Sequence, residues 1–343
     1  MRDAGTGPIP ADQPMAQRLP RHPIRALSYL FFGLALLFAM VAGIQGDVFF
    51  FRLATEALIF GGLALSVDLL LGRTGLLPLG QALFFGFGAY VSALVLKHGL
   101  PSFWLAMAMV LLATTLTGLL AGVIAIRAKG VYFALISFGL AQVVSKVVFN
   151  TRELGASDGI IGVPIPQISL GFFNVDAASP AGFFLLVLVF IAFLYGLLAY
   201  LMETPFGRQL AAIKANEHRV PFLGVDAWRY KLAAFVLAAN VAGLSGAFYP
   251  MLRGFVSPEL MFFQVSGNAI INVIVGGTGT LIGALYGSAI LTVLKSVIGS
   301  FTAHHQIAIG LIFMVSVIFF PKGLIGYVVA SIERRHARTK ASL

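Results

Sequence analysis

Four ionisable side chains, Glu56, Asp68, Lys146 and Lys295, fall inside stretches that are otherwise apolar. A charge at the centre of a bilayer costs about 2.5–3.5 kcal/mol on insertion scales, so each should face protein or water. Such a group either relays a proton or ion, or is paired and structural. Asp68 stands just ahead of Gly72-Arg73, where a local pair with Arg73 is expected. Glu56 and Lys295 lie nearer the ends of their stretches, where pairing or snorkelling suffices, and Lys146 is also close to an end. Neutral polar groups form a second set: Gln81, Gln142, Asn240, Asn268 and Asn272. Asn268 and Asn272 are four apart and share one helical face. An amide-bearing face bonds a neighbouring helix or lines a conduit for a small polar solute; Gln81, Tyr90, Gln142, Asn268 and Asn272 are the lining candidates. Catalytic constellations fail. His304 and His305 are adjacent and diverge by about 100° on a helix, so they cannot share a metal as an i, i+4 pair does. There is no cysteine, hence no thiolate site. No Gly-x-x-x-x-Gly-Lys-Ser/Thr occurs, so a P-loop ATPase is excluded and any nucleotide-driven motor is another polypeptide.

The sharpest polar signal is the segment 203–231, ETPFGRQLAAIKANEHRVPFLGVDAWRYK, set between two long apolar runs. Pro205 and Gly207 open it, Arg208 to Glu217 reads as a short amphipathic helix, and Gly224 closes a turn. Arg208, Lys214, Asn216 and Glu217 form a polar rim, with Leu210, Ile213 and Phe222 as apolar contacts. An interfacial helix lying on anionic lipid has the same general look. The modest positive balance and the embedded Asn-Glu favour docking of a separate protein.

The rest of the chain must place these groups in a membrane. Hydrophobic residues make up 59% and charged residues 10% of the 343, against about 25% charged in soluble domains, and mean hydropathy is +0.95. We expect an all-α polytopic membrane protein of about ten helices, with both termini cytoplasmic and one or more helices broken. The spans lie near 26–45, 53–71, 75–96, 101–126, 131–149, 181–202, 232–252, 260–275, 280–299 and 305–320. In this orientation most of the 23 Lys and Arg fall on the cytoplasmic side, as the positive-inside rule requires. The net charge of +10 is therefore a topology signal and not a nucleic-acid footprint. Residues 1–25 read as a disordered cytoplasmic tail, 26–327 as the transmembrane domain and 328–343 as a basic cytoplasmic tail. Within the domain, 203–231 is the inner loop and 150–180 the long external loop, either ordered and turn-rich or a small cap. Gly118-x-x-x-Gly122 and Gly283-x-x-x-Gly287 suit close helix packing within one bundle. Pro78, Gly80, Gly86 and Gly88 make 75–90 a poor continuous helix, either kinked or re-entrant beside a pathway, whose end N–H groups would suit a carboxylate. Gly72-Arg-Thr-Gly75 and Gly276-Gly-Thr-Gly279 hint at an internal repeat.

Several segments together resemble the permeases of ABC importers for branched-chain amino acids. They are Gly72 through Tyr90, Gly130-Val-Tyr-Phe-Ala134, Ser157-Asp-Gly159, Pro205-Phe-Gly-Arg208 through Gly224, Arg229-Tyr-Lys231, Phe255-Val-Ser-Pro-Glu259, Gly276 to Gly279 and Phe319-Phe-Pro-Lys-Gly323. The resemblance covers about residues 53–327 and is greatest to the LivM type. It implies a bacterial inner-membrane complex with a second related permease, two cytoplasmic ATPases that bind ATP and Mg, and a periplasmic binding protein. No cofactor would be bound by this chain, and membrane lipid would surround it. Arg208, Ile213, Lys214, Asn216, Glu217 and Gly224 would couple it to the ATPases. Such permeases carry Glu-Ala-Ala followed by Gly in an inner loop; here Glu217 precedes His218-Arg219. The same branch includes permeases for urea and short-chain amides. A stand-alone secondary transporter, with Asp68 or Lys146 as coupling charge, is the contrasting class.

Overall fold

The computed structural model describes residues 21–45, 48–99, 102–166, 168–169, 174–175, 179–301, 310–311, 314 and 323–328. Within them the chain is a bundle of α-helices: α1 (Arg21–Gln45), α2 (Val48–Asp68), α3 (Gln81–His98), α4 (Phe103–Ala125), α5 (Val131–Asn150), α6 (Pro180–Glu203), α7 (Pro205–Ala215), α8 (Ala227–Gly246), α9 (Phe248–Arg253), α10 (Phe263–Gly276) and α11 (Ile282–Phe301). Seven helical stretches among the described residues are long and apolar enough to cross a membrane. The chain is thus an all-α polytopic membrane protein. Most of the span expected near 305–320, most of the tail 1–25 and nearly all of 328–343 lie outside the described residues. Helix α1 starts at Arg21, inside the stretch expected as tail.

Helix α2 is the centre of the bundle. Ile59, Leu63, Leu65 and Val67 have no exposed surface, and α2 packs against α6, α8, α10 and α11. Small residues allow this. A Cβ at Gly61 would run into Leu285 of α11, and one at Gly62 into Ser245 of α8. Lipid offers no hydrophobic drive between helices, so close backbone contact supplies dispersion instead. The two small-residue pairs read from sequence do this within the chain. Gly118 and Gly122 of α4 meet Ala239, Leu232 and Phe235 of α8, while Gly283 and Gly287 of α11 meet the backbone of α10.

Two breaks interrupt the bundle. Helix α2 runs into a six-residue π-helical turn, Leu69–Thr74, capped by Gly75 at φ 77°. Irregular backbone then extends to Gly80, so the expected span 75–96 is helical only from Gln81. Pro78 has no N–H to continue a helix. Non-helical backbone at this depth must be buried and satisfied. Here Leu76, Pro78 and Gly80 are buried, Leu76 N–H donates to Leu70 O at 3.1 Å, and Ala82 N–H donates to Ser266 Oγ of α10 at 2.8 Å. The second break, 277–281, joins α10 to α11. The long loop carries short paired strands where it is described. Strand β1 (Ile160–Ile161) pairs antiparallel with β4 (Phe255–Val256), and β2 (Ile168–Ser169) pairs with β3 (Asn174–Val175).

Candidate functional site

Helix α7 is amphipathic and sits at one end of the bundle, against α6, α8 and the 69–74 turn. Thr204 and Pro205 set its start, proline being tolerated where no helical partner is needed; Asn216 ends it. Leu210 and Ile213 are 0% and 3% exposed. They therefore seat α7 on its own bundle. Arg208 and Asn216 are exposed. Asn216 Oδ1 accepts from the N–H groups of His218 and Arg219 at 3.1 and 3.2 Å, building the turn that follows α7. Gly224 caps the next 3₁₀ turn at φ 73°, a conformation that penalises a Cβ. Between them Phe222 and Leu223 project at 90% and 73% exposure.

Glu217 is turned inward. Its carboxylate accepts from Lys231 Nζ at 2.8 Å, with Lys129 4.0 Å away, and Lys231 is only 3% exposed. The pair, with the stacked rings of Phe206 and Tyr230, fastens the α7–α8 corner. Lys214 reaches the other way, its Nζ donating to Gly72 O at 2.6 Å. Loss of hydration draws the Lys214 pKa below the ordinary lysine value, opposed by the charge of Asp68.

Asp68 is fully buried, and its expected pair with Arg73 does not form. Oδ1 instead accepts from Gly279 N–H at 2.5 Å and Oδ2 from Leu281 N–H at 2.7 Å. Both oxygens are committed to the second break, and the two glycine turns that looked like a repeat lie against each other. A Cβ on Gly72 would strike Asp68 and Gly279. The other charges resolve more simply. Glu56 pairs with Arg253 at 2.6 Å, Lys146 is exposed with Nζ 5.3 Å from the Phe149 ring centre, and Lys295 is exposed. Among the described residues no group of three or more His, Asp or Glu is gathered for a metal; His304 and His305 lie outside them.

The family described as the branched-chain amino acid transport system / permease component matches residues 49–320. The chain belongs to this family. It is 27% identical over 293 residues to the high-affinity branched-chain amino acid transport system permease protein LivM of Salmonella typhimurium (strain LT2), covering 80% of this chain and 69% of that protein. LivM of Escherichia coli (strain K12) matches to the same extent. The high-affinity branched-chain amino acid transport system permease protein LivH of Salmonella typhimurium (strain LT2) is 20% identical over 286 residues, 77% of this chain and 90% of that one. No solved structure matches the chain.

The conduit candidates of this branched-chain permease component fall in separate environments. Gln81 is 1% exposed, and both its side-chain polar atoms are buried without a partner. It borders a cavity of ≈ 10 Å³ beside Phe84, Ser137, Leu140 and Phe235, about the space of one water. Tyr90 Oη is likewise buried and unpartnered. Nine residues separate the two, which puts them on opposite sides of α3. Gln142 lines an open groove of ≈ 650 Å³ with Lys146 and Asn150 on α5. Asn268 is exposed and Asn272 buried, so the face they share straddles the bundle surface. Asn240 is structural, its Oδ1 accepting from the hydroxyls of Thr114 and Thr115 at 2.6 and 3.1 Å. The α3 end is already capped by Ser266, so the N–H of Ala82 is not free for a substrate carboxylate. Sequence reasoning missed Ser266, for which no local pattern gives a signal, and named Lys231 only within the Arg229-Tyr-Lys231 segment, without its partner Glu217. The facing glycine turns were signalled by their matching motifs.

Proposed function

We propose that this permease serves an ATP-driven ABC importer carrying Leu, Ile and Val inward across the bacterial inner membrane. Its partners are a second related permease, two cytoplasmic ABC ATPases holding ATP and Mg, and a periplasmic binding protein. One observation carries the docking part: α7 and the turn behind it stand at one end of the bundle with a charged rim and a bare apolar tip, Phe222-Leu223. A solvated loop gains nothing from a phenylalanine left 90% exposed, whereas a partner's groove buries it. Arg208, Lys214, Asn216 and Glu217 with Gly224 shape and hold this element, and Ile213 anchors it. The match to both LivM-type and LivH-type permeases supports a paired permease, and the branched-chain amino acid transport systems to which those relatives belong support that cargo.

Gln142 and Asn268, polar and on the outer parts of α5 and α10, belong against the second permease and the route. Exposed polar groups at membrane depth are costly against lipid. Asp68 is a poor coupling charge for a secondary transporter, because two backbone N–H groups already occupy its oxygens. The test is uptake into proteoliposomes holding the full complex, with Leu, urea and a short amide competing. We expect ATP-dependent Leu uptake that Ile and Val compete away and urea does not. Gradient-driven uptake by this chain alone would assign it to secondary transport, and competition by urea or the amide would move it to that branch.

A further inference from the structure

The contacts between α7 and the two glycine turns form one path, in which two sets of side-chain hydrogen bonds are joined by the main chain of residues 68–72. Lys214 Nζ of α7 holds the carbonyl of Gly72 at 2.6 Å. Gly72 sits in the π-helical turn four residues from Asp68, whose carboxylate holds the amides of Gly279 and Leu281. Those amides lie in the 277–281 break, just ahead of α11. Gly72, Gly75 and Gly279 present backbone, so the Lys214 ammonium and the Asp68 carboxylate reach the main chain with no further side chain between. The Lys214 stem lies against Gly75, 3.2 Å from where a Cβ would stand. Charge assistance strengthens the bonds at both ends. Leu281 is one of two non-glycine residues with positive φ among the described residues, at 60°, and the bond from its N–H to Asp68 helps hold that conformation. The deformable part lies next to this link. Residues 75–80, beyond the π-helical turn, are irregular backbone without the regular ladder that resists bending.

We propose that Lys214 and Asp68 are positioning residues for transport. Together they carry a displacement of α7 to the α10–α11 corner, and the irregular 75–80 backbone absorbs the strain. This rests on the importer reading above, which supplies the force on α7. It assigns neither residue to substrate.

The test uses Lys214→Met, which keeps the stem and removes the donor, with Lys214→Arg as the conservative partner and Asp68→Asn as an independent break. In the purified full chain, amide exchange at 279–281 should rise at least fivefold in Lys214→Met, although Lys214 touches neither amide, and return towards wild type in Lys214→Arg. In the reconstituted complex, leucine taken up per ATP hydrolysed should fall at least tenfold in Lys214→Met and recover in Lys214→Arg. Asp68→Asn should give the same two changes. Exchange at 279–281 unaltered in Lys214→Met overturns the mechanical link, and so does an unaltered uptake-to-ATP ratio. A wild-type complex that takes up no leucine with ATP would instead overturn the importer reading, and the exchange experiment on the chain alone keeps the two failures apart.

Discussion

Glu217 shows how a residue's task changes once its neighbours are known. In sequence it belongs to a polar rim; folded, it neutralises Lys231, whose side chain is 4% exposed. Removing one partner of a buried pair costs about 3–5 kcal/mol. Because the Glu217 side chain is 31% exposed, we expect Glu217→Gln to cost about 2 kcal/mol, read as a lowered unfolding temperature of the purified chain. Lys231→Met should remove most of that penalty in the double variant; a double variant no more stable than Glu217→Gln would contradict the pairing. Lys214 gives a pH prediction. Its folded pKa lies below the ordinary lysine value because the ammonium loses hydration, so between the two the unfolded chain binds more protons. Stability relative to Lys214→Met should therefore rise with pH across that window, measurable by thermal unfolding in alkaline buffers. A falling difference would contradict the partly desolvated ammonium held on Gly72 O.

At the scale of elements, the break between α2 and α3 depends on what covers it. Ser266 on α10 caps α3 from another helix, so Ser266→Ala leaves the Ala82 amide buried and unbonded. That should cost about 1 kcal/mol and speed amide exchange at the start of α3, while α5 and α6 stay unchanged. The α10–α11 contact is tighter still. A Cβ at Gly276 would strike Gly283 O, with no side-chain end able to move aside. Gly276→Val should therefore abolish accumulation of folded protein in the membrane, whereas Gly196→Val, where no atom lies within 4 Å of a Cβ, should be tolerated. Equal expression of the two variants would refute this packing.

For the whole molecule, the orientation is open to a direct measurement. The chain has no cysteine, so a single Phe222→Cys is a unique label. On the importer reading, an impermeant maleimide should label it in inside-out vesicles and not in intact cells, and added ATPase subunits should protect it. Labelling from outside the cell would end the docking proposal. The outer surfaces of α1, α4, α5 and α6 are widely apolar, with Met40, Leu112, Val143 and Val189 each more than 60% exposed. That is the surface expected of a chain lying in lipid and against a second permease.

The sequence alone determined the helical membrane class, the break around Pro78 and the polar α7 segment. Each of these follows from local composition: apolar runs must hide their backbone in helices, proline cannot extend one, and a charged stretch leaves the bilayer. It also fixed which residues could be polar at depth, and showed the twin glycine motifs without showing that they touch. Tertiary structure decided what each polar group does. Asp68 turned from Arg73 to the backbone of a loop about two hundred residues away, Ile213 and Leu210 turned inward, and Glu217 became half of a buried pair. Those outcomes depend on which main-chain donors and apolar surfaces come within about 3 Å and 4 Å of each other across the bundle. Residue type and sequence spacing carry no record of such distances.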